Sequence, residues 1–224
     1  MTLKICVSIL SKTVPEAFLL MEKAEAAHAD LIEIRLDLLK DCLENHRGLA
    51  DLAAHGKTPK IATDKSSRSE REHQQLLIAA AKSGFDYVDV ELSTPQLEDL
   101  VKELKTVGAK VIVSFHKFDG SMSISELNNV LEKEITSGAE VCKIITTAKQ
   151  IEDNLTTLDF TSAASSKTKV VCFCMGELGK VSRLLSPMFG GFFTFSSLEH
   201  GSETASGQLT IQEMKVAYEL LGQK

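Results

Sequence analysis

Eight short runs rich in β-branched and aromatic residues alternate with longer segments of helical period, and that alternation limits the folds open to this chain more than any other feature. The runs are KICVSIL from Lys4, LIEIRL from Leu31, KIAT from Lys60, YVDVEL from Tyr87, KVIVSF from Lys110, VCKII from Val141, VVCFCM from Val170 and FFTF from Phe192. Between them lie stretches such as PEAFLLMEKAEAAH, EREHQQLLIAAAKSG, PQLEDLVKELKTVG, SISELNNVLEKEITSG and IQEMKVAYELLGQK. Gly84, Gly108 and Gly138 fall just before the next run, where a helix C-cap belongs. Pro15 and Pro95 stand where helices begin. The helical signal is weakest after Asp41 and after Gln150. An open doubly wound sheet accommodates this order in principle, but eight βα units in 224 residues predict the closed alternative, a (β/α)₈ TIM barrel. No proline-rich or low-complexity linker divides the chain, so residues 1–224 are expected to form a single domain. Such barrels carry their sites at the C-terminal strand ends, so polar residues within the strands are the ones to examine.

Hydrophobic residues make up 43% of the chain and charged residues 25%, which excludes a disordered chain. No apolar run is long enough to span a bilayer. The stretch MTLKICVSIL lacks the apolar region and small-residue cleavage site of a signal peptide, so a cytosolic location is expected. The net charge is −6 and no basic patch with interleaved aromatics is visible, which disfavours nucleic acid as a partner. A small anionic substrate stays open, since local positive charge can act inside an acidic protein. Cys6, Cys42, Cys142, Cys172 and Cys174 are odd in number and lack a framework spacing, and are read as reduced core thiols. The chain offers no HExxH, no clustered Cys/His ligands, no GxGxxG and no P-loop, so neither a metal nor a cofactor is expected.

Side chains alternate between the two faces of a strand. In LIEIRLD, Glu33, Arg35 and Asp37 share one face and Ile32, Ile34 and Leu36 the other. The apolar face must pack on helices, so the charges point into the barrel. Inward charges are costly unless they pair or serve a ligand, which leaves a substrate site or a structural ion-pair network. YVDVEL repeats the pattern with Asp89 and Glu91. In KVIVSFHKF, Ile112, Ser114 and His116 share a face, with His116 inward near the strand end. In GAEVCKIITTA, Val141, Lys143 and Ile145 share a face, which makes Lys143 an inward lysine in an apolar strand. Lysine is almost never buried without a partner. Neighbouring strands lie about 4.8 Å apart, so the fifth and sixth can bring His116 and Lys143 together. A desolvated lysine near other cations can attack a carbonyl. The competing reading is a structural lysine paired with Glu33 or Glu91.

At this point the sequence resembles the type I 3-dehydroquinate dehydratases, shikimate-pathway enzymes that convert 3-dehydroquinate to 3-dehydroshikimate. The resemblance runs through EIRLD (Glu33 to Asp37), DYVDVEL (Asp86 to Leu92), SFHKF (Ser114 to Phe118), VCKI (Val141 to Ile144), Met175–Gly176, Ser182–Arg183, TFSSLE (Thr194 to Glu199) and ASGQ (Ala205 to Gln208). It implies a lyase with Lys143 as the Schiff-base lysine, His116 as general acid/base and Glu33 steadying His116. It further implies that Glu33 and Arg35 orient substrate hydroxyls, that Arg183 pairs with the substrate carboxylate, and that Gln208 closes over the substrate. Met175 would form part of the apolar wall, with Phe195 a second candidate for it. A homodimer is also implied.

The pattern breaks in two places. After the third strand the family has an arginine and then a Glu-Gly-Gly loop, whereas this chain reads KIATDKSSRSERE. Lys65 stands where the arginine would be, Arg68 is a nearby alternative, and Glu70 is the candidate for the acid. Near the C-terminus Ser-Ala-Pro-Gly-Gln becomes Thr204-Ala205-Ser206-Gly207-Gln208, and Ser202 competes with Thr204 for the hydroxyl role. The rival readings are another Schiff-base barrel enzyme of the class I aldolase kind, and a catalytically dead barrel that only binds a metabolite or partner protein.

Overall fold

The computed structural model describes residues 3–39, 46 and 48–223. Its strands are β1 Ile5–Ile9, β2 Leu31–Arg35, β3 Lys60–Thr63, β4 Tyr87–Glu91, β5 Lys110–His116, β6 Val141–Thr147, β7 Val170–Met175 and β8 Thr194–Ser196. All pair in parallel, in the order β7-β6-β5-β4-β3-β2-β1-β8. The seam between β7 and β8 is nearly closed: Phe192 N–H donates to Val170 O at 2.7 Å, and the Phe173 and Phe195 rings meet edge-on across it. The α-helices among the described residues are α1 Val14–Ala26, α2 Leu49–Ala54, α3 Glu70–Lys82, α4 Leu97–Thr106, α5 Ile124–Thr136, α6 Asp153–Ala164, α7 Lys180–Leu185 and α8 Ile211–Leu220. The expected single-domain (β/α)₈ barrel is therefore the architecture observed.

Local chemistry sets the helix ends. Ser69, Ser123 and Thr210 each accept from the backbone N–H three residues on, and Glu72, Glu126 and Glu213 reach back, giving three capping boxes. Pro15 lies in the first turn of α1 as expected. Pro95 does not lie in α4: Gln96 takes a left-handed φ of 55°, so the helix starts only at Leu97. Gly84, Gly108 and Gly138 all take positive φ just past a helix end, the backbone state in which a Cβ is penalised. The segment after Asp41 falls largely outside the described residues, and only the six-residue α2 is assigned there. The segment after Gln150 is a regular helix, α6.

Two apolar layers divide the work. Ile32, Ile34, Val88, Val90, Val111 and Val113 face outward and pack on the helices, with Leu52, Leu77, Leu104 and Met214 among the buried partners. Inside, Cys6, Leu31, Ile61, Tyr87, Ile112, Val141, Val171 and Phe193 plug the lower barrel. Fully burying one such Ile or Leu contributes about 1.5–3 kcal/mol. These layers carry the fold and leave the upper interior free to be polar. Cys6, Cys142, Cys172 and Cys174 are free and buried, as expected; Cys42 lies outside the described residues. Among the described residues no helix is long and apolar enough to cross a membrane.

One acid sits in the outer layer without compensation. Glu134 of α5 is 0% exposed, and among the described residues neither carboxyl oxygen has a well-formed hydrogen bond, although the Cys142 thiol lies beside it. Burial pushes it well above the usual carboxylate range, and the Asp89 and Glu91 charges add to the effect. A carboxyl raised on folding costs nothing below its unfolded value near 4.5, and it withdraws stability as pH climbs from there towards its folded value. Glu134→Leu should therefore stabilise the protein at pH 7 by about 1–3 kcal/mol, the cost of an unsatisfied buried polar group. Thermal melts at pH 7 and pH 4 check this: the gain should shrink at the lower pH.

Candidate active site

The C-terminal strand ends open into a cavity of about 290 Å³. Glu33 and Arg35 of β2, Thr63 of β3, Lys65, Glu91 of β4, His116 of β5 and Lys143 of β6 line one side. Met175, Arg183, Phe195, Thr204 and Gln208 line the other. Strand register explains the gathering. Glu91 pairs with Ser114 on β5, and Ser114 pairs with Lys143 on β6, so His116 stands two residues higher than Lys143 on the adjacent strand. Both point inward because each lies an even number of residues from Ser114 or its partner. A larger hollow of about 810 Å³ lies outside the barrel between α4 and α5. It gathers Leu92, Gln96, Asn129 and Lys133, which form no reactive set, so volume alone does not mark the site.

Lys143 is 5% exposed. Its Nζ donates to Asp89 Oδ2 at 2.8 Å, lies 4.0 Å from Glu33 Oε1, and sits 4.5 Å above the Phe195 ring. Burial alone would raise the Asp89 carboxyl; the Lys143 and Lys65 ammonium groups override it and hold it far below the usual carboxylate range. Ser114 Oγ adds a hydrogen bond to Asp89 Oδ1 at 2.7 Å. Glu33 is fixed from two sides, by Ser8 Oγ at 2.5 Å and Thr63 Oγ1 at 2.9 Å.

His116 has a different partner from the one expected. Glu33 is on β2, three strands away from β5, and does not reach the ring. Glu91, on the adjacent strand, brings Oε1 to 3.0 Å from His116 Nδ1. That approach is a close polar contact, since it falls outside the N–H direction of an aligned hydrogen bond. The exposed Phe118 ring stacks beside His116 at the rim, with centroids 6.0 Å apart.

Arg183 is the odd charge of the site. It is 2% exposed, its Nε and one Nη have no hydrogen-bond partner among the described residues, and its guanidinium lies 4.4 Å over Phe173. Burial pushes its pKa down to about 10. A fork of unspent donors on a buried cation is a built receptor for a carboxylate. Gln208 points the same way: its Nε2 is buried and unpaired while Oε1 accepts from Thr204 N–H at 2.7 Å. The loop carrying both is pinned low by Gly176 N–H donating to Ser206 O at 3.0 Å. A Cβ on Gly207 would come within 2.1 Å of Gly176 O, so only glycine lets the loop approach this closely.

Of the residues expected at the site, Glu33, Arg35, Lys65, His116, Lys143, Met175, Arg183, Phe195, Thr204 and Gln208 all line the cavity. Glu70 does not. Ser69 caps α3, so Glu70 becomes its first residue, exposed and bonded to Gln74. Arg68 is turned to Ser66 and Asp64, which leaves Lys65 as the cation that the segment after β3 contributes to the cavity. Ser202 bonds Glu199 O, away from the cavity, while Thr204 lines it. Arg35 is held bidentately by Asp37 at 2.8 and 2.7 Å. Asp89 was visible as an inward charge in the strand alternation, but nothing in the sequence assigned it to Lys143. Ser8 and Thr63 carried no signal beyond their place on the inward face. No cluster of three or more His, Cys, Asp or Glu able to hold a metal occurs among the described residues.

The type I 3-dehydroquinase family model matches residues 5–224. A 3-dehydroquinate dehydratase of Dehalococcoides mccartyi is 38% identical over 205 residues, covering 88% of each chain. One from Methanococcus maripaludis is 32% identical over 226 residues, covering 97% of this chain and 99% of its own. Among solved structures, the 3-dehydroquinate dehydratase of Geobacillus kaustophilus superposes with a TM-score of 0.87 at 25% identity, covering 99% of this chain and 92% of that one.

Proposed function

The chain belongs to the type I 3-dehydroquinase family, and from that premise we propose that this carbon–oxygen hydro-lyase works through a Schiff base on Lys143, with His116 as general acid/base. Its reaction is the dehydration of 3-dehydroquinate to 3-dehydroshikimate in the shikimate pathway. The observation that carries the mechanism is a buried amine and an imidazole opening into one cavity, opposite an unpartnered guanidinium.

The reaction must remove a proton beside a ketone and expel a β-hydroxyl. Lys143 passes a proton to the neighbouring Asp89 carboxylate and the freed amine adds to the ketone carbon; that proton returns as the carbinolamine loses water, and a cationic iminium forms. That cation takes up the electron pair released when His116 removes the neighbouring proton. An imidazole's reference pKa of about 6.5 lies close to working pH, where a general base is most effective. As the electrons return and the β-hydroxyl departs, His116 gives its proton back and a second water is released. Water then hydrolyses the iminium and frees the amine. One group acting twice implies elimination on a single face of the ring. Asp89 and Glu33 supply negative charge beside the developing iminium. Phe195 and Met175 wall the cavity against water. Arg183 binds the carboxylate with Gln208 and Thr204 beside it, while Arg35 and Glu33 meet the hydroxyls. The same reading carries a cytosolic homodimer, which sedimentation of the purified protein would check.

Purified protein given 3-dehydroquinate should generate the ultraviolet absorbance of a conjugated enone. No absorbance change, or release of an aldehyde, would overturn the assignment. Arg183→Met tests the carboxylate contact. Loss of a charge-assisted pair is worth about 1.5–3 kcal/mol, so kcat/KM should fall roughly 10- to 100-fold, mostly through KM. The same variant should melt higher, because it removes a buried charge that has no partner in the free protein. An unchanged KM would place the carboxylate elsewhere.

A further inference from the structure

Lys143 and His116 are joined by an unbroken line of ionisable side chains. Asp89 receives Lys143 Nζ at 2.8 Å on one oxygen and Lys65 Nζ at 3.0 Å on the other. Lys65 Nζ also bonds Glu91, and Glu91 lies 3.0 Å from His116 Nδ1. The order is Lys143, Asp89, Lys65, Glu91, His116. Lys65 is the middle member and reaches in from the segment after β3. That segment is anchored next door: the buried Asp64 accepts from Ser66 N–H at 3.0 Å and contacts His73 Nδ1 at 2.8 Å. Asp89 and Glu91 lie two apart on one face of β4, so without Lys65 they would be neighbouring like charges. Held by both, the partly exposed Lys65 keeps its proton: desolvation at the cavity mouth works against the charge, and the two carboxylates override it.

We propose that Lys65 is a positioning residue: by bridging Asp89 and Glu91 it holds Lys143 and His116 in their working arrangement and absorbs carboxylate charge that would otherwise fall on them. This rests on the Schiff-base reading above and adds to it a role distinct from contact with substrate. The charged groups facing Lys65 are Asp89 and Glu91 from β4, His116 from β5 and Lys143 from β6, with Glu33 and Arg35 of β2 across the cavity. Removing the Lys65 ammonium frees about one unit of negative charge shared by the two carboxylates. Each then binds its other cation more strongly. Lys143 and His116 become harder to deprotonate, and their side chains follow carboxylates that have lost a common tether.

The test is steady-state kinetics against pH on the purified full chain, for wild type, Lys65→Met and Lys65→Arg. In Lys65→Met kcat should fall by about tenfold or more, with KM changed little, since small misplacements of reacting groups cost up to about 100-fold. The acid limb of kcat/KM should move up by roughly half a pH unit or more. Lys65→Arg should restore both. A rise in KM with kcat and the acid limb unmoved would overturn the proposal and leave Lys65 a substrate contact. A second readout is independent of turnover: the NMR titration curve of the His116 ring in substrate-free protein should move to higher pH in Lys65→Met. An unmoved curve also overturns it, even if the Schiff-base reading has failed on wild type. Should Lys65→Met not fold, Glu91→Gln decides. Removing the carboxylate beside His116 must move the same curve to lower pH, and any other direction sinks the proposal.

Discussion

Lys143→Ala should bring turnover of 3-dehydroquinate down to background, a loss on the order of 10⁴-fold or more, about 5.5 kcal/mol of barrier. The reason is chemical. Without the amine no iminium forms, and the proton beside the ketone stays too weakly acidic for an imidazole. The fold should survive. Asp89 loses one partner but keeps Lys65 at 3.0 Å and Ser114 at 2.7 Å, so its charge is not left bare. Borohydride added to wild type with substrate should fix the substrate-derived mass on Lys143, and peptide mapping would locate it. Recovery of unmodified Lys143 from fully inactivated enzyme, or an adduct on Lys65, would sink the covalent mechanism. Lys143→Met, which keeps the apolar stem against Phe195, should be equally inactive.

His116→Ala should lose about 10²- to 10⁴-fold in kcat, the usual worth of a placed general acid/base. Adduct formation should persist, because the amine and the carboxylates around it are untouched. The variant therefore accumulates the covalent species that wild type passes through, and borohydride should trap more of it. Near-normal turnover would rule out the proposed role. The two variants separate the chemistry: one cannot form the intermediate, the other cannot empty it. The effects are not additive, since a double variant has no intermediate on which a histidine could act.

The barrel was legible because its signals are local. Alternation of β-branched runs with helical segments and glycines past helix ends are both set within a few residues. The inward direction of Glu33, Asp89, Glu91, His116 and Lys143 was legible too, because a strand's period of two separates its faces without any partner. Partner choice was not. Lys143, for which a structural pairing with Glu33 or Glu91 was the rival reading, takes Asp89 at 2.8 Å with Glu33 at 4.0 Å; His116 was expected beside Glu33 and instead meets Glu91. Each contact depends on the relative height of residues on different strands, which barrel closure sets and no single strand encodes. Glu70 shows the same limit in the loop after β3. Its acidity matched an expected role, but the cap at Ser69 turned it into the first residue of a helix. Lys65, one of two cations in that loop, was chosen over Arg68 by the backbone's path.

By itself the sequence determined the eightfold βα order, the apolar outer faces and the set of charged side chains that must face inward, since propensity, periodicity and capping act over a few residues. The tertiary structure decided which carboxylate meets which cation, that Lys65 ties the two β4 acids together, and that Arg183 is left with unspent donors. Those outcomes follow from strand stagger and loop path. They join residues far apart along the chain, whose separations close only when the sheet curls on itself.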